Sequence, residues 1–480
     1  MRQGLNQYRF AGIAGGLLWA AGQFWGPACV LQVFAMVPVM FLALRDRRVR
    51  FAALAGMEMG VAYAIPQMIY LRMPVTVTVI LLVWMTVLLM VLCMSFVTFL
   101  PRRPLLGSLA VGAVWYILDW INFTVVPIWG TAQSFARSWT AYPFAIQFIS
   151  ITGISGVLIV VGTLSGLLAH IIFNKYHKNS ANITFPAKRY IKAISMLILT
   201  VFCIDAAIWF QKPSGSLRIA AAGWVYDDTS SEIDPHKPEG FQQLFAVPAS
   251  EAAAQGAHVF TSGELGFYIA RHEWDERIEE FAEIARANNL WLVVGYFNIS
   301  DDENRLFFMS PDGEIVHEYT KTYLTPFEPG QKGSGDLQTI EVDGVTIGAM
   351  ICQDDNFSKL TRHYGNLKAN IVLCPTADWW TIKNAHLQAV RARAIECNYG
   401  IVRGAACGIS AAISPGGTIL AKQDHYRSGP GTIIAEVPIR KSKTVFSRFG
   451  SAPTLFISGL LIVLGWYYNK QKRPISATSL

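Results

Sequence analysis

The chain has 480 residues, of which 52% are apolar and only 15% are charged, with a formal net charge of +7. Soluble domains usually carry about 25% charged residues, so the composition excludes an ordinary soluble protein. Apolar residues are concentrated in residues 10–210 and near 453–468, where lysine and arginine lie in short connectors. This arrangement is typical of membrane orientation and argues against nucleic-acid binding, which gathers basic residues on one face or run.

Hydrophobic runs of about 18 or more residues predict membrane-spanning helices. Seven such runs precede residue 211, and an eighth, shorter run follows residue 450. The first run could also be a cleaved signal peptide, but further spans follow it almost at once. Asp119 and Asp205 fall inside runs, and we interpret them as helix-end or interhelical hydrogen-bonding groups. The predicted spans lie near 9–25, 27–44, 52–71, 75–99, 104–128, 143–172, 191–210 and 453–468.

Basic residues in the connectors predict the orientation, because lysine and arginine are retained on the cytoplasmic side. Every second connector is basic, whereas the alternate ones carry mainly Arg72 and Arg137. We therefore expect both termini in the cytoplasm and residues 211–450 outside it, in the periplasm or its equivalent. The basic connector residues are Arg45, Arg47, Arg48, Arg50, Arg102, Arg103, Lys175, Lys178, Lys188, Arg189, Lys470, Lys472 and Arg473.

From Leu217 onward, short β-rich runs alternate with helical stretches, which predicts an α/β layered domain. Predicted helices cover 239–255, 276–289 and 382–397. Predicted strands cover 217–225, 257–262, 291–299, 306–309, 314–319, 345–351, 370–374, 400–406, 409–414, 418–422 and 432–437. The sequence thus divides into a seven-helix membrane domain (1–210), an extracytoplasmic α/β domain (211–450), and a last membrane helix with a cytoplasmic tail (451–480).

Three reactive side chains follow or end apolar strands of this domain: Glu264, Lys321 and Cys352. A free cysteine has a pKa of about 8.5 and needs a base or a nearby positive charge to attack a carbonyl group. A glutamate can take the thiol proton and return it to a leaving group, and a lysine can stabilise the oxyanion. Each signal is weak alone, but together the three form a complete set for acyl transfer.

The segments around these residues resemble the nitrilase, or carbon–nitrogen hydrolase, superfamily. ICQDDNF (351–357) is similar to its nucleophile segment, TSGEL (261–265) to its glutamate segment, and YTKTYLTPFEPG (319–330) to its lysine segment. TADWW (376–380) and the stretch AVRARAIECNYGIVRGAACGISAAISPGGTIL resemble the region after the nucleophile. The resemblance implies an α-β-β-α sandwich in which Glu264, Lys321 and Cys352 are catalytic.

The membrane layout narrows the resemblance to the apolipoprotein N-acyltransferase family, whose nitrilase-like domain lies between a seventh and an eighth span. SWTAYPFAIQFISITGISGVLIVVGTLSGLLA (138–169) is also similar to that family. The resemblance implies an enzyme of the bacterial inner membrane that needs no cofactor. It would move a fatty acyl group from a phospholipid, through a thioester on Cys352, to the N-terminal amino group of a diacylglyceryl-cysteine lipoprotein. The alternatives are a membrane-tethered amidase with the same triad and a non-enzymatic scaffold or sensor.

This sequence departs from the family pattern around each triad residue. Gly263 precedes the glutamate where the family usually has proline, and TPFEP (325–329) shifts the supporting acid, for which Glu328 is the candidate. Gln353 and Asp354 replace the usual Tyr-Glu after the cysteine. We expect the Gln353 N–H to help hold the oxyanion. We also expect these departures to affect which acceptor is used more than the class of reaction.

Two further residue sets bear on the site. Trp379 and Trp380 could line an acyl pocket or simply pack. The nine histidines show no paired ligand spacing, so no metal site is expected. The seven cysteines lack zinc spacing and a dense disulfide framework does not fit, although individual structural disulfides stay open. They are Cys29, Cys93, Cys203, Cys352, Cys374, Cys397 and Cys407.

Overall fold

The computed structural model describes residues 2–101, 103–176, 187–225, 234–440 and 443–470. The tail 471–480 and four of the basic connector residues lie outside the described residues; these four are Arg102, Lys178, Lys472 and Arg473. Each of the seven cysteines lies within the described ranges and is a free thiol.

Each of the eight predicted hydrophobic runs contains a helix. Within the described residues, six of these helices are long and apolar enough to cross a membrane. The other two, α1 and α3, have 23 residues each and are long enough, but they fall outside the apolar set. The helices are α1 (Arg2–Phe24), α2 (Gly26–Asp46, which begins with a 3-10 turn), α3 (Val49–Leu71), α4 (Val75–Phe99), α5 (Pro104–Val125), α6 (Gly156–Tyr176), α7 (Ala187–Trp209) and α13 (Ala452–Lys470).

Glycines let α1 and α3 approach each other closely. A methyl group on Gly12 would lie 2.3 Å from the Ala55 carbonyl oxygen, and one on Gly16 would lie 2.4 Å from that of Met59. Small residues four apart are a common contact in membrane helix packing. The contacts advance together along both helices, so α1 and α3 run parallel, as alternate spans must. The large apolar side chains of Phe10, Ile69, Phe202 and Phe456 are exposed on the outside of the helices, as expected for surfaces in contact with lipid.

The predicted span at 143–172 is wrong at its start, since α6 begins only at Gly156. Residues 126–155, here called the α5–α6 loop, form 3-10 turns and one helical turn, Ile149–Thr152. Gly153 has a φ of +75°, which interrupts the helix. The apolar run is not a helix because tertiary hydrogen bonds satisfy the peptide groups of this loop.

Asp119 and Asp205 supply those hydrogen bonds. The buried Asp119 carboxylate accepts from Ser134 Oγ, Phe135 N and Ser155 Oγ, each at 2.7 Å. Asp205 accepts from Phe148 N at 2.7 Å. Both acids therefore have the structural role predicted for them, and they fix the α5–α6 loop against the helices.

The catalytic domain is an α-β-β-α sandwich, as predicted. Its first sheet has the strand order β13-β1-β2-β4-β5-β6, with β3 beside β4, and the second has the order β12-β11-β10-β9-β8-β7. The strands are β1 (Gly215–Gly223), β2 (Val259–Thr261), β3 (Phe267–Ile269), β4 (Trp291–Asn298), β5 (Glu303–Met309), β6 (Ile315–Thr320), β7 (Thr339–Val342), β8 (Val345–Ala349), β9 (Ile371–Leu373), β10 (Gly400–Arg403), β11 (Ile409–Ile413), β12 (Ile419–Asp424) and β13 (Gly431–Ile439).

Helices cover both outer faces of the sandwich. Phe245 and Phe281 lie in the apolar layer outside the first sheet, while Ile219 and Ile371 belong to the core between the sheets. The helices are α8 (238–254, with one π turn), α9 (Trp274–Asn288), α10 (Ser358–Asn366), α11 (Lys383–Cys397) and α12 (Val445–Phe449). The prediction did not include β3, β7, α10 and α12.

Helix α11 joins the two domains. Its Leu387 and Val390 belong to the core of the sandwich, whereas Ala392 and Ile395 pack with the membrane helices. Burial on both sides makes this helix part of two cores. The membrane helices therefore support the catalytic domain directly and do not act only as an anchor.

Candidate active site

Strands β2, β8 and β9 end at one edge of the domain. In the first sheet, β2 pairs in parallel with β1 and β4. In the second sheet, β9 pairs in parallel with β8 and β10. Sites in α/β proteins form where the carboxyl ends of such strands meet. Glu264 follows β2, and Cys352 follows β8. The segment Pro375–Asp378 follows β9 and lies between them, since Cys352 N donates to Pro375 O and Glu264 N donates to Thr376 O.

Cys352 begins a sharp 3-10 turn, Cys352–Asn356, here called the nucleophile turn. Its φ of +43° is uncommon for a residue other than glycine, and such strained positions cluster at functional sites. The residue is 4% exposed, and its Sγ lies 3.7 Å from the carbonyl oxygen of Ala377. The local fold therefore holds the thiol at a strand end in a fixed direction.

Glu264, Lys321 and Glu328 form one buried ion cluster. Lys321 Nζ donates to Glu264 Oε1 at 2.6 Å and to Glu328 Oε1 and Oε2 at 2.7 and 2.8 Å. Lys321 is 1% exposed and Glu264 is 2% exposed. A buried ammonium needs such partners, because an unpaired charge in the interior is very costly. The structure thus places the shifted acid Glu328 directly on the lysine.

Asn304, at the start of β5, was not singled out from the sequence. Its Nδ2 donates to Glu264 Oε1 at 2.8 Å and to Glu328 Oε1 at 3.0 Å. Ala377 N donates to the other oxygen of Glu264 at 2.8 Å. These donors fix the direction of the Glu264 carboxylate, and the Ala377 residue contacts both that carboxylate and the Cys352 thiol. A lone asparagine inside a strand carries no spacing signal that could have identified it.

Gly263 replaces the usual proline because of a close backbone approach. A methyl group there would lie 2.1 Å from the backbone nitrogen of Ala406. Only glycine fits this contact, which packs the end of β2 against the segment after β10. The departure from the family pattern is therefore explained by packing beside the site.

Charges and burial act in opposite directions on the pKa values of the cluster. Burial raises the pKa of Cys352 well above its usual value, and Glu264 adds to this effect, while the Lys321 ammonium opposes it. Burial alone would lower the pKa of Lys321, but the carboxylates of Glu264 and Glu328 and the nearby thiol raise it overall. Lys321 therefore stays charged beside a thiol that needs a base for ionisation.

Asp354 fixes the lysine segment to the nucleophile turn. Its carboxylate accepts from Tyr319 OH at 2.8 Å, from Tyr323 N at 2.8 Å, and from Ile351 N at 3.2 Å. The rings of Tyr323 and Phe357 stack with their centroids 3.7 Å apart, which adds a second contact between the same segments. Asp354 is fully buried, and its contacts indicate a structural role beside the triad.

A second buried group of charges, here called the His386 cluster, was also not predicted. It consists of Asp355, Asp378, His386 and Arg403. His386 Nδ1 lies 2.6 Å from Asp378 Oδ1, and its Nε2 lies 2.8 Å from Asp355 Oδ1. Arg403 Nη2 donates to Asp378 Oδ2 at 2.6 Å. The members come from four separate segments, so no short motif could have connected them.

Cys352, Asp378 and His386 place one sulfur, oxygen or nitrogen atom each within 4.8 Å of one another. A histidine binds a metal ion through the lone pair of a ring nitrogen, but both ring nitrogens of His386 already contact carboxylate oxygens. Burial would lower the pKa of His386, but Asp355 and Asp378 outweigh it and raise that pKa to about 9. The arrangement is therefore that of an ion-pair network built on an imidazolium.

The membrane domain contacts the nucleophile turn through the α5–α6 loop. Gln353 Nε2 donates to Ile128 O at 2.9 Å, and Thr131 Oγ1 donates to Asn356 O at 3.0 Å. A methyl group on Gly130 would lie 2.4 Å from the same Asn356 oxygen. The side chain of Gln353, in place of the usual tyrosine, thus connects the nucleophile turn to the membrane domain.

Trp379 and Trp380 are partly exposed beside this contact, at 39% and 44%. The Trp379 ring lies 5.3 Å from that of Trp129 in the α5–α6 loop. Trp380 packs differently, with its ring 3.6 Å from Lys383 Nζ. Trp379 therefore faces the membrane domain, while Trp380 contacts the start of α11.

Comparisons with known proteins agree with this architecture. A carbon-nitrogen hydrolase family model matches residues 237–445. The apolipoprotein N-acyltransferase of Borreliella burgdorferi is 21% identical over 408 residues, which cover 75% of this chain and 75% of that protein. That of Shewanella oneidensis is 27% identical over 433 residues, covering 78% and 80%. The deaminated glutathione amidase of Bos taurus is 28% identical over 260 residues, covering 45% of this chain and 78% of that protein.

The matches to the two acyltransferases extend well beyond the sandwich into the membrane helices, whereas the amidase covers less than half of this chain. The domain order, the helical membrane part and the sandwich together favour an acyltransferase over a soluble hydrolase of the amidase type. The chain is a membrane N-acyltransferase that is similar to the apolipoprotein N-acyltransferases over about three quarters of its length.

Proposed function

We propose that this enzyme transfers a fatty acyl group from a phospholipid to the N-terminal amino group of a lipoprotein, through a thioester on Cys352. The observation that carries the proposal is the Glu264–Lys321–Glu328 cluster beside a buried thiol, directly above membrane helices. Glu264 is the general base and acid, Lys321 and the N–H of Gln353 hold the oxyanion, and Glu328 and Asp354 support them. No cofactor takes part in the proposed steps.

In the first step Glu264 takes the Cys352 proton, and the sulfur attacks the ester carbonyl carbon of the phospholipid. The oxyanion of the tetrahedral intermediate accepts from Lys321 and from Gln353 N. The Cys352 N–H is already committed to Pro375 O, so the next N–H of the turn is the available donor. The ester C–O bond breaks, Glu264 gives its proton to the departing glycerol oxygen, and a thioester and a lysophospholipid remain.

In the second step the amino group of the lipoprotein attacks the thioester carbon. Glu264 takes a proton from the attacking nitrogen, the C–S bond breaks, and the amide product leaves. The proton then returns from Glu264 to the Cys352 sulfur. Two half-reactions at one thiol constitute a ping-pong scheme, in which the first product departs before the second substrate reacts.

The path of the lipid substrates supports the role of the membrane domain. Trp379 and Trp129 lie between the membrane domain and the edge of the site. A small cavity lies between α3, α4 and the start of α11. Its wall combines the apolar side chains of Met68, Leu71, Leu81 and Trp129 with the polar side chains of Gln67, Gln133 and Arg137. An acyl chain entering from the bilayer would meet the apolar side of this wall before it reached the thiol. We assign Trp379 to the acyl path and Trp380 to the rim of the site.

We further propose that the catalytic domain lies outside the cytoplasm, with both termini inside. In the part of the chain that the structure describes, seven long helices precede the domain, and omitting α1 and α3 leaves five, so the count is odd in either case. The buried Arg137 donates to Ala132 O and Gln67 Oε1, and it is therefore not an exposed connector charge. Without Arg137, the alternate connectors carry less positive charge, so the difference in charge between the two sets of connectors is larger. Reporter fusions at residues 48 and 330 test this orientation: a cytoplasmic reading at 330 contradicts it.

The reaction is tested with purified enzyme in detergent, a phospholipid with a labelled acyl chain, and a diacylglyceryl-cysteine peptide. We expect label in an amide of the peptide, and none when its amino group is blocked by acetylation. Release of free fatty acid with no peptide amide would instead favour the amidase-like alternative, with water as acceptor. Unchanged amide formation by Cys352→Ala would show that the thioester route is wrong.

A further inference from the structure

The proposed reaction steps do not use the His386 cluster, although it lies against the sulfur. His386 is 3% exposed and sits near the start of α11, where its two ring nitrogens contact two different carboxylates. Asp355 belongs to the nucleophile turn, and Asp378 follows β9. The imidazole thus connects three segments that meet beside the Cys352 thiol.

The distances place the cluster close enough to act on the thiol. Atoms of Cys352, Asp378 and His386 lie within 4.8 Å of one another, and all three residues are buried. Charges at this separation in a protein interior interact strongly, since little water screens them. At this separation the Asp378 carboxylate contributes to raising the pKa of Cys352, after burial and Glu264.

We propose that His386 is a positioning residue for Cys352: its imidazole holds Asp355 and Asp378 in place and balances their negative charge beside the sulfur. The inference rests on the proposed function in that Cys352 is taken as the nucleophile. His386 itself does not contact the acyl group in this scheme. Its effect is on the charge that surrounds the thiol and on the direction of the nucleophile turn.

The charge balance makes the proposal specific. The groups that face His386 are Asp355 and Cys352 on the nucleophile turn, Asp378 after β9 and Arg403 on β10. Two carboxylates then stand against one imidazolium and one guanidinium, so the formal sum of the His386 cluster is zero. A neutral side chain at position 386 would leave one excess negative charge beside the sulfur and disfavour the thiolate.

Removing one carboxylate has the opposite effect. Asp378→Asn would leave one excess positive charge and favour the thiolate. The nearby Cys374 contacts Asp355 Oδ2 at 3.6 Å, and burial raises the pKa of this thiol far above its usual value. Cys374 therefore stays neutral over the working range and does not alter the balance.

The test is the rate of Cys352 alkylation by iodoacetamide at pH 7, where His386 is protonated, followed peptide by peptide with mass spectrometry on the full-length protein in detergent. We expect the rate to fall about tenfold or more in His386→Gln and to rise in Asp378→Asn, relative to wild type. A purely structural role would change the rates of both variants in the same direction. Unchanged rates, or changes of the same sign, would overturn the proposal.

A third variant covers the case in which His386→Gln fails to fold. Asp355→Asn removes the carboxylate on the other ring nitrogen and should raise the rate of alkylation at pH 7, whereas an unchanged rate contradicts the inference. Alkylation needs no acyl substrate, so this result is independent of the proposed function. If Cys352→Ala still transfers acyl groups, the proposed function fails even when the alkylation rates change as expected.

Discussion

Replacing Glu264 by glutamine should nearly abolish acylation of Cys352 while leaving a folded enzyme. The amide keeps the size of the carboxylate but cannot take the thiol proton. Loss of a general base typically costs about a hundred- to ten-thousand-fold in rate. The thiol depends strongly on this base, because burial raises the pKa of Cys352 and disfavours spontaneous ionisation.

The stability cost of Glu264→Gln can be worked from the contacts. Three donors converge on the carboxylate: Lys321 Nζ, Asn304 Nδ2 and Ala377 N. A glutamine NH₂ must face at least one of them, which leaves a buried donor unsatisfied at about 1–3 kcal/mol. Lys321 retains both oxygens of Glu328, so the larger loss of about 3–5 kcal/mol for an orphaned buried charge is not expected.

Glu396→Gln is the matched control. Glu396 is also fully buried, pairs with Arg393 and accepts from Ile154 N at 2.6 Å, but it lies at the far end of α11 from His386. We expect a comparable loss of thermal stability with near-normal acylation. The assay is single-turnover acylation of Cys352, read by intact mass, together with thermal unfolding. Near-normal acylation in Glu264→Gln would refute the base assignment and direct attention to other acids of the site.

Three further outcomes are expected. Cys352→Ala should abolish acyl transfer in the amide-forming assay, whereas Cys397→Ala should retain most of the activity. Substantial turnover by Cys352→Ala would show that Cys352 is not the nucleophile. Gly12→Val should destabilise the membrane helices by about 1–3 kcal/mol through overpacking, as read by thermal unfolding in detergent; Gly459→Val, where an added methyl group meets nothing within 4 Å, should not. The pKa of His386 is raised to about 9, so its contribution to stability is present below about pH 6.5 and is lost as the pH rises through 9. The raised pKa corresponds to a contribution of up to about 3 kcal/mol to the free energy of unfolding. His386→Gln should lack this loss of stability at alkaline pH, and an equal loss in the variant, measured by unfolding at several pH values, would contradict the assignment.

Hydropathy predicted the membrane helices well because a long apolar run has few alternatives in a bilayer. It was wrong for residues 143–155, where the run is apolar but the chain forms turns. The reason is tertiary: Asp119 and Asp205, from α5 and α7, satisfy backbone groups of the α5–α6 loop. A local pattern cannot show hydrogen bonds made by a carboxylate on another helix.

Strand ends were informative for the site, since Glu264, Lys321 and Cys352 each follow a strand and the structure brings them to one edge. Short or weakly patterned elements, such as β7 and α10, were not predicted because few residues define their buried face. Asn304 and His386 were not identified either. Their importance arises from contacts with residues far away in sequence, and these contacts exist only after the strands of each sheet and the helices on it have assembled.

The most direct test of the proposed mechanism follows a single acyl group through Cys352. Purified enzyme is first exposed to a phospholipid of known chain length, freed of lipid, and analysed by intact mass and by the peptide that carries Cys352. We predict one added acyl chain on that thiol, which then disappears when the diacylglyceryl-cysteine peptide is added, with an equal amount of peptide amide formed. A peptide amide that forms while the enzyme never carries the acyl mass, or an acyl mass on Cys352 that the peptide does not discharge, would contradict the mechanism.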